Sequence, residues 1–96
     1  VCVFDNFVNS SPIALNRVRA LSNRDLRAVT GDIRSQPDLE RVFADFRPDA
    51  VIHFAGLKAV GESSEKPLLY YDVNVAGSAR LLEAMNQAGC RRIVFS

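Results

Sequence analysis

The fold is decided by the stretch Ala50-Val51-Ile52-His53-Phe54-Ala55-Gly56, in which an apolar run ends at two small residues. Short apolar runs that stop at a small or polar residue are typical of strands covered on both faces of a parallel sheet. Two other apolar runs have this form, and they are residues 1–4 before Asp5 and residues 93–95 before Ser96. Residues 26–29, which include Arg27, lead in a similar way into Thr30-Gly31-Asp32-Ile33. The sequence therefore predicts four strands.

The clearest helix signal is Ser35-Gln36-Pro37-Asp38, where a serine precedes a proline and an acid. These residue types favour the start of a helix, because serine accepts a backbone N–H and proline lacks a donor that would otherwise go unpaired. The apolar residues that follow at helical spacing are Leu39, Val42, Phe43 and Phe46. They predict one apolar stripe that faces a sheet, and Arg47-Pro48-Asp49 ends the helix.

Two further segments carry helical patterns. A long helix is predicted from about Pro67, and Gly89 is placed to end it. Its predicted buried residues are Val73, Ala76, Leu81, Leu82 and Met85. Residues 9–25 contain the turn cluster Asn9-Ser10-Ser11-Pro12 and only weak helical spacing, so we expect a loop with a short helix there.

Strands that alternate with helices at this spacing predict right-handed crossovers, a parallel sheet and a ligand site at the carboxyl ends of the strands. We predict an α/β fold, a partial Rossmann-type doubly wound parallel sheet that contains strands 2 to 5 and their crossover helices. Both termini lie inside apolar runs, so we expect an internal stretch of a domain whose first strand and glycine-rich loop are missing. In the sheet order 3-2-1-4-5, that first strand lies between the first and third visible strands.

Composition excludes several classes of protein. The apolar fraction of 48% and the charged fraction of 24% are those of an ordinary globular domain. A net charge of +1 predicts no nucleic-acid partner. The sequence contains neither an apolar span of about 20 residues nor a signal peptide, so we expect no membrane partner. Cys2 and Cys90 lack metal-ligand spacing, and we expect two small buried apolar groups, as suits a reducing cytoplasm.

Polar residues follow the first two strands. Asp5 closes an apolar run, and an acid in that position can accept hydrogen bonds from both hydroxyls of a ribose. It can equally form a turn by accepting from its own backbone. Asn9 and Ser10 add polar groups to the same corner. For Asp32 the residues alone favour a turn over contact with an adenine amino group.

The third strand also offers candidates. His53 lies within the strand, so we expect a hydrogen-bonded core histidine and not a general base. Ala55-Gly56 lets a backbone approach a cofactor or simply makes a tight turn. The position of Lys58 favours a surface cation over a counterion for pyrophosphate. Tyr70 and Tyr71 lack the Tyr-x-x-x-Lys spacing of a catalytic base and are expected to be packing residues.

A family resemblance is carried by the run His53-Phe54-Ala55-Gly56-Leu57-Lys58-Ala59-Val60-Gly61-Glu62-Ser63. With Lys66-Pro67-Leu68, Tyr70-Tyr71 and Asn74-Val75-x-Gly77, it resembles the UDP-glucose 4-epimerase family of extended short-chain dehydrogenase/reductases. Other segments also fall where that family places them, namely Phe4-Asp5-Asn6, Asn9-Ser10, Gly31-Asp32-Ile33-Arg34 and Val94-Phe95-Ser96. The resemblance therefore covers essentially the whole chain.

The resemblance implies that residues 1–96 are part of an NAD-binding Rossmann domain of a cytoplasmic, homodimeric enzyme of galactose metabolism. Such an enzyme interconverts UDP-glucose and UDP-galactose through a 4-keto intermediate, with NAD as cofactor and a UDP-sugar as substrate. Two alternatives stay open. The parent protein is another NAD-dependent nucleotide-sugar epimerase, dehydratase or decarboxylase, or the chain is a structural fragment without activity.

The resemblance also implies roles for particular residues. Those that would hold the adenosine ribose are Asp5, Asn6, Asn9 and Ser10, while Asp32 and Ile33 would flank the adenine. Those that would line the pyrophosphate and inner ribose are Phe54, Ala55, Gly56 and Lys58. Asn74 would support the active site, and Ser96 would end the strand that leads to the nicotinamide. No catalytic residue and no metal ligand is assigned, because the family's catalytic serine and Tyr-x-x-x-Lys pair are expected beyond Ser96.

Overall fold

The computed structural model describes residues 1–96 and divides them into two units, Val1–Asp32 and Ile33–Ser96. Both units contain two parallel strands joined through helices. None of the helices combines the length and the apolar character that a membrane-crossing helix needs.

The first unit contains β1 (Cys2–Asp5), α1 (Pro12–Ser22) and β2 (Arg27–Thr30). β1 and β2 are parallel, with Cys2 opposite Arg27 and Asp5 opposite Thr30. Ser11 caps α1, because its side chain accepts a hydrogen bond from the amide of Ile13 at 3.3 Å. α1 is 11 residues long, so the expected loop with a short helix was an underestimate, and none of its side chains is buried.

The second unit starts with α2 (Gln36–Phe46) and β3 (Val51–His53). The helices that follow are α3 (Val60–Glu65), α4 (Pro67–Tyr71), a π-helical turn (Asp72–Ala76) and α5 (Gly77–Ala88), and β4 (Ile93–Phe95) is the last element. β3 and β4 are parallel, with Val51 opposite Ile93 and His53 opposite Phe95.

α2 confirms its prediction at both ends. The side chain of Ser35 accepts a hydrogen bond from the amide of Asp38 at 3.4 Å, as the cap requires. The buried side chains of α2 are Leu39, Val42 and Phe43. The helix ends at Arg47, whose backbone is left-handed with φ of 53°.

The long helix begins at Pro67 and ends at Gly89 as predicted, but it is not regular. The amide of Gly77 donates to the carbonyl of Asp72 five residues earlier, which marks the π-helical turn. Gly89 closes the helix in the left-handed region, with φ of 74°.

The buried face of that helix agrees with the prediction only in part. Leu81 and Met85 are buried, whereas Leu82 is 52% exposed and Ala84 lies in the core in its place. Val73 and Ala76 are half-buried. Val73 and Ala76 lie within the π-helical turn, which changes the helical phase between them and Leu82.

The strands form one two-stranded sheet in each unit, β1 with β2 in the first and β3 with β4 in the second. They are the pairs predicted for strands 2 and 3 and for strands 4 and 5 of the order 3-2-1-4-5. That residues 1–96 belong to a single domain stays a prediction.

The two cysteines are free thiols with different surroundings. Cys90 is buried, as expected. Cys2 is only half-buried, so the expectation of a buried group was wrong for it. Partial burial raises the pKa of the Cys2 thiol, although the positive charge of Arg27 lowers it in part.

Gly77 lies where α5 leaves no room for a side chain. A Cβ at Gly77 would lie 2.8 Å from Cδ1 and 2.9 Å from Cγ1 of the buried Ile33. Overpacking costs about 1–3 kcal/mol, and exchanging glycine for alanine within a helix returns about 1 kcal/mol. We therefore expect Gly77→Ala to destabilise the full-length protein by about 1 kcal/mol in denaturant unfolding.

Gly61→Ala in α3 is the matched control, because a Cβ there would meet no atom within 4 Å. It should leave the free energy of unfolding unchanged or raise it by up to about 1 kcal/mol. An equal change in the free energy of unfolding for Gly77→Ala and Gly61→Ala would show that the side chain of Ile33 moves aside without loss of stability.

Candidate functional site

The carboxyl end of β1 carries a corner built from side-chain turns. Asp5 accepts two hydrogen bonds, from the amide of Phe7 to Oδ1 at 2.8 Å and from the hydroxyl of Ser10 to Oδ2 at 3.1 Å. Asn6 accepts from the amide of Val8 at 3.1 Å. Asp5 thus makes the turn that was one of its two interpretations. A carboxylate offers about four lone-pair sites, so these two bonds leave capacity for a ligand hydroxyl.

The end of β2 meets the same corner. The side-chain amide of Asn6 donates to Oδ2 of Asp32 at 3.1 Å, and the amide of Gly31 donates to the carbonyl of Asp5 at 3.0 Å. Four of the residues predicted for the adenosine side are therefore joined by hydrogen bonds, namely Asp5, Asn6, Ser10 and Asp32. Asn9 lies exposed on the loop beside them.

Ile33 is the other residue predicted near the adenine, and its side chain is only 7% exposed. It packs against the backbone at Gly77 inside the second unit. Its place beside an adenine stays a prediction.

A small cavity of about 110 Å³ lies at the carboxyl ends of β3 and β4. All six residues predicted on this side line it, namely Phe54, Ala55, Gly56, Lys58, Asn74 and Ser96. His53, Ser78 and Phe95 complete its wall. The structure therefore brings together residues as far apart in sequence as Phe54 and Ser96.

A larger cavity of about 560 Å³ lies in the second unit at the opposite ends of the strands. It is lined by the last turns of α2 and α5 and by Asp49 and Cys90, which precede β3 and β4. It contains none of the predicted site residues. Ligands of parallel α/β sheets bind at the carboxyl ends, so the smaller cavity is the candidate site.

Asn74 fixes the chain that leaves β3. Its Oδ1 accepts from the amide of Leu57 at 2.8 Å, and its Nδ2 donates to the carbonyl of Leu57 at 2.8 Å. Asn74 lies in the π-helical turn, a feature that occurs often at functional sites. The paired bonds hold the backbone between Gly56 and Lys58 in one conformation.

Gly56 is not required by the turn itself. Its φ is not in the positive range, and an added Cβ would make ordinary contacts of 3.5 Å with Oδ1 of Asn74 and Cε of Lys58. The tight-turn explanation for a glycine therefore loses support. The amide of Gly56 does donate to the carbonyl of Phe54 at 2.8 Å, which closes a tight turn. Close approach of a cofactor pyrophosphate to this backbone stays a prediction.

Lys58 lies at the cavity, although its sequence position favoured an unrelated surface cation. Its Nζ is 3.5 Å from the carbonyl of Ser96, at the outer limit of a hydrogen bond. The side chain is exposed, so its ammonium group keeps donors for an anion that enters the cavity.

His53 confirms the expectation of a hydrogen-bonded core histidine. The residue is 5% exposed, its Nε2 lies 2.9 Å from the hydroxyl of Ser78, and its ring meets that of Phe95 edge-on at 4.8 Å. Burial lowers the pKa of His53 below its ordinary value, and the charge of Lys58 lowers it further. The imidazole is therefore neutral in the folded protein at neutral pH.

The lowered pKa of His53 predicts a pH-dependent stability. In the unfolded chain the histidine takes up a proton near pH 6.5, above the folded pKa. The neutral His53 therefore makes its full contribution to the free energy of unfolding above pH 6.5. This contribution is lost as the pH falls through the pKa of His53 in the folded protein. Thermal unfolding of the full-length protein between pH 8 and 5 should show this loss, and His53→Gln should reduce it. Identical pH slopes for the two proteins would contradict the prediction.

Two tyrosines on α4 behave differently. Tyr70 is buried and donates to Oε1 of Glu62 at 2.9 Å, so its packing role is confirmed. Burial, followed by the hydrogen bond to Glu62, raises the pKa of the Tyr70 phenol. Tyr71 is 67% exposed, so the same expectation was wrong for it.

Sequence reasoning missed Ser78 and Leu57. Ser78 follows Asn74 by four positions, and this spacing places both on one face of a helix. That spacing was a usable signal. Leu57 contributes only its backbone, for which the residue type carries no signal.

Parallel strands with helical crossovers and a small cavity at their carboxyl ends are features of the Rossmann-like α/β class. The chain belongs to the NAD dependent epimerase/dehydratase family, whose sequence profile matches residues 1–96.

Individual relatives agree with this assignment. The chain is 55% identical to UDP-glucose 4-epimerase 3 of Oryza sativa in an alignment of 100 positions, which covers 100% of this chain and 27% of that protein. It is 50% identical to UDP-glucose 4-epimerase of Neisseria meningitidis serogroup C, covering 100% of this chain and 28% of that protein. The chain thus spans about a quarter of the length of the curated relatives it matches.

A solved structure gives the same result for the fold. UDP-glucose 4-epimerase from Bifidobacterium longum, in complex with NAD+ and UDP, superimposes with a TM-score of 0.97 at 47% identity. The match covers 100% of this chain and 29% of that one. The resemblance to UDP-glucose 4-epimerases and the Rossmann-like α/β class are therefore confirmed.

Proposed function

We propose that residues 1–96 form part of the NAD-binding domain of a UDP-glucose 4-epimerase that interconverts UDP-glucose and UDP-galactose through a 4-keto intermediate. The observation that carries this proposal is the single cavity lined by all six residues predicted for the inner half of the cofactor. It is supported by two solved relatives, since the Bifidobacterium enzyme contains NAD+ and UDP and the Stenotrophomonas maltophila enzyme contains NAD.

In this proposal the first unit holds the adenosine. The carboxylate of Asp5 accepts from the ribose hydroxyls, and Asn6, Asn9 and Ser10 supply further polar groups around it. Asp32 and Ile33 flank the adenine. The hydrogen bond between Asn6 and Asp32 supports this arrangement, because it keeps the ends of β1 and β2 together before a ligand arrives.

The second unit holds the pyrophosphate and the inner ribose. The backbone at Ala55-Gly56 approaches the phosphates, Lys58 offsets their charge, and Asn74 keeps this backbone in place. The chemistry supplied by bound NAD is acceptance of a hydride from sugar carbon 4 and its return to the opposite face. The part played by residues 1–96 is positioning, which contributes strongly to the rate of such a transfer.

The test is an assay of the full-length protein with UDP-galactose, together with the NAD released when the purified protein is denatured. We expect bound NAD and formation of UDP-glucose. Loss of water from UDP-galactose would instead identify a dehydratase, and loss of carbon dioxide from a UDP-hexuronic acid assayed in parallel would identify a decarboxylase of the same superfamily. Absence of both NAD and turnover would favour a structural fragment.

We also propose a homodimer. Four exposed apolar side chains follow the helix from Pro67, namely Leu68, Tyr71, Val75 and Leu82. Exposed apolar side chains of this kind are groups that an interface between two subunits would bury. Sedimentation of the full-length protein and of Val75→Glu tests this, and a wild-type monomer would exclude it.

The cellular setting is likewise a proposal. We propose a cytoplasmic enzyme of galactose metabolism with no nucleic-acid or membrane partner. The net charge of +1 supports the absence of a polyanion partner. Fractionation of cells, followed by the epimerase assay on each fraction, tests the location.

Lys58→Met provides a test of the phosphate role. Losing a charge-assisted hydrogen bond should raise the dissociation constant for NAD about tenfold. The pH optimum should stay unchanged, because an ammonium that only offsets charge takes no part in proton transfer. Lys66→Met is the matched control, since Lys66 is an exposed lysine outside the cavity. A shifted pH optimum with unchanged NAD binding would contradict this role.

A further inference from the structure

His53 is a buried titratable residue that the proposed function does not use. It is the last residue of β3, and it is the buried polar side chain of the core. Burying a polar ring costs stability unless a partner satisfies it. Its partner is therefore informative about its role.

The direction of the hydrogen bonds around His53 follows from Ser78. The hydroxyl of Ser78 has one proton, which it donates to the carbonyl of Asn74 at 2.7 Å. Its oxygen can then only accept from Nε2 of His53, 2.9 Å away. The neutral imidazole therefore carries its proton on Nε2, and the chain of donors runs from His53 through Ser78 to Asn74.

Asn74 extends this chain to the loop that leaves β3. Its carboxamide makes two hydrogen bonds of 2.8 Å to the backbone of Leu57. Leu57 lies between Gly56 and Lys58, both of which line the cavity. Ser78 thus holds the main chain of Asn74, and the Asn74 side chain holds the backbone at the proposed pyrophosphate site.

The position of Asn74 makes external support necessary. It lies in the π-helical turn, where hydrogen bonds span five residues and the regular α-helical pattern is absent. A serine bonded to the carbonyl four residues earlier also tends to bend a helix. The bond from His53 holds Ser78 in the rotamer that makes this contact.

We propose that His53 and Ser78 are positioning residues of the cofactor site, which hold Asn74 and through it the backbone of residues 56–58 for the dinucleotide. This inference rests on the proposed function, because it needs the cavity to be the pyrophosphate site.

The experiment compares variants of the full-length protein by their dissociation constant for NADH, measured by its fluorescence, and by their melting temperature. Ser78→Ala removes the middle of the chain, and His53→Met removes its first donor at similar volume. His53→Gln keeps an amide nitrogen at the position of Nε2. Ser22→Ala is the matched control, because Ser22 also donates to a carbonyl four residues earlier at 2.7 Å but lies on α1.

We expect Ser78→Ala and His53→Met each to raise the dissociation constant about threefold to tenfold, the effect of one lost neutral hydrogen bond. The double variant should bind no more weakly than the weaker single variant, because both act through one chain of bonds. His53→Gln should stay within about twofold of wild type, and Ser22→Ala should bind NADH like wild type.

The inference is overturned by additive effects of the two substitutions, by failure of His53→Gln to restore binding, or by unchanged binding in Ser78→Ala. If His53→Met does not fold, the dissociation constants of Ser78→Ala and His53→Gln for NADH still test the inference. A wild-type protein that fails to bind NADH would refute the proposed function, whereas a wild-type binder whose variants bind equally well would refute only this inference.

Discussion

Replacing Asp5 by alanine in the full-length protein is expected to weaken NAD binding about tenfold to a hundredfold. A carboxylate that accepts from two ribose hydroxyls contributes charge-assisted hydrogen bonds, and losing such a contact costs about 1.5–3 kcal/mol. The measurement is the amount of NAD that copurifies with the protein, followed by titration of NADH. A variant that retains NAD as fully as wild type would exclude the ribose role.

Asp5→Asn separates the ribose role from the turn. An asparagine keeps one oxygen to accept from the amide of Phe7, as Oδ1 of Asp5 does now. It loses the charge and the second acceptor that Ser10 uses. If Asp5 only forms the turn, Asp5→Asn should bind NAD like wild type. Weak NAD binding by both Asp5→Ala and Asp5→Asn would support the contact with ribose. Asp25→Ala is the surface control and should bind NAD like wild type.

Residues 1–96 expressed alone are expected to show no cooperative thermal transition and negligible NAD binding. No side chain of the first unit is buried, so its sheet has no closed apolar core. In the second unit Ile52, Phe54, Val94 and Phe95 are each 63–67% exposed. Two-stranded sheets need a covered apolar face for independent stability, and exposed apolar strands favour aggregation.

Calorimetry and NAD titration on this stretch, beside the full-length protein, test the expectation. A cooperative transition together with micromolar NAD binding would show that the two units form a sufficient core without further chain.

The parts of the fold that were predicted well carry two independent signals. α2 has both a capping serine and a regular apolar stripe, and each indicates the same start and face. α1 was underestimated because none of its side chains is buried, so no apolar stripe was needed. The π-helical turn could not be predicted, because it is defined by which carbonyl the amide of Gly77 selects. Periodicity in residue types does not report that choice.

The candidate site was predictable to the extent that strand ends determine it. The rule that ligands bind at the carboxyl ends of parallel strands, together with the family resemblance, selected six residues that now line one cavity. The roles of individual residues stay predictions. The contact between His53 and Ser78 was not predictable, because the register between β3 and α5 depends on packing of the whole unit.

The register of the two strand pairs also bears on how these residues fold. Cys2 pairs with Arg27 and Val51 with Ile93, so the chain closes over roughly 25 and 42 residues. Closing the longer segment costs only about 0.5 kcal/mol more entropy. The entropy of closing the chain therefore hardly distinguishes pairing of β1 with β2 from pairing of β3 with β4. Burial distinguishes them, because only the second unit has buried side chains such as Leu39 and Met85. The packed helices α2 and α5 of the second unit are thus where a folding nucleus would gain most from forming early.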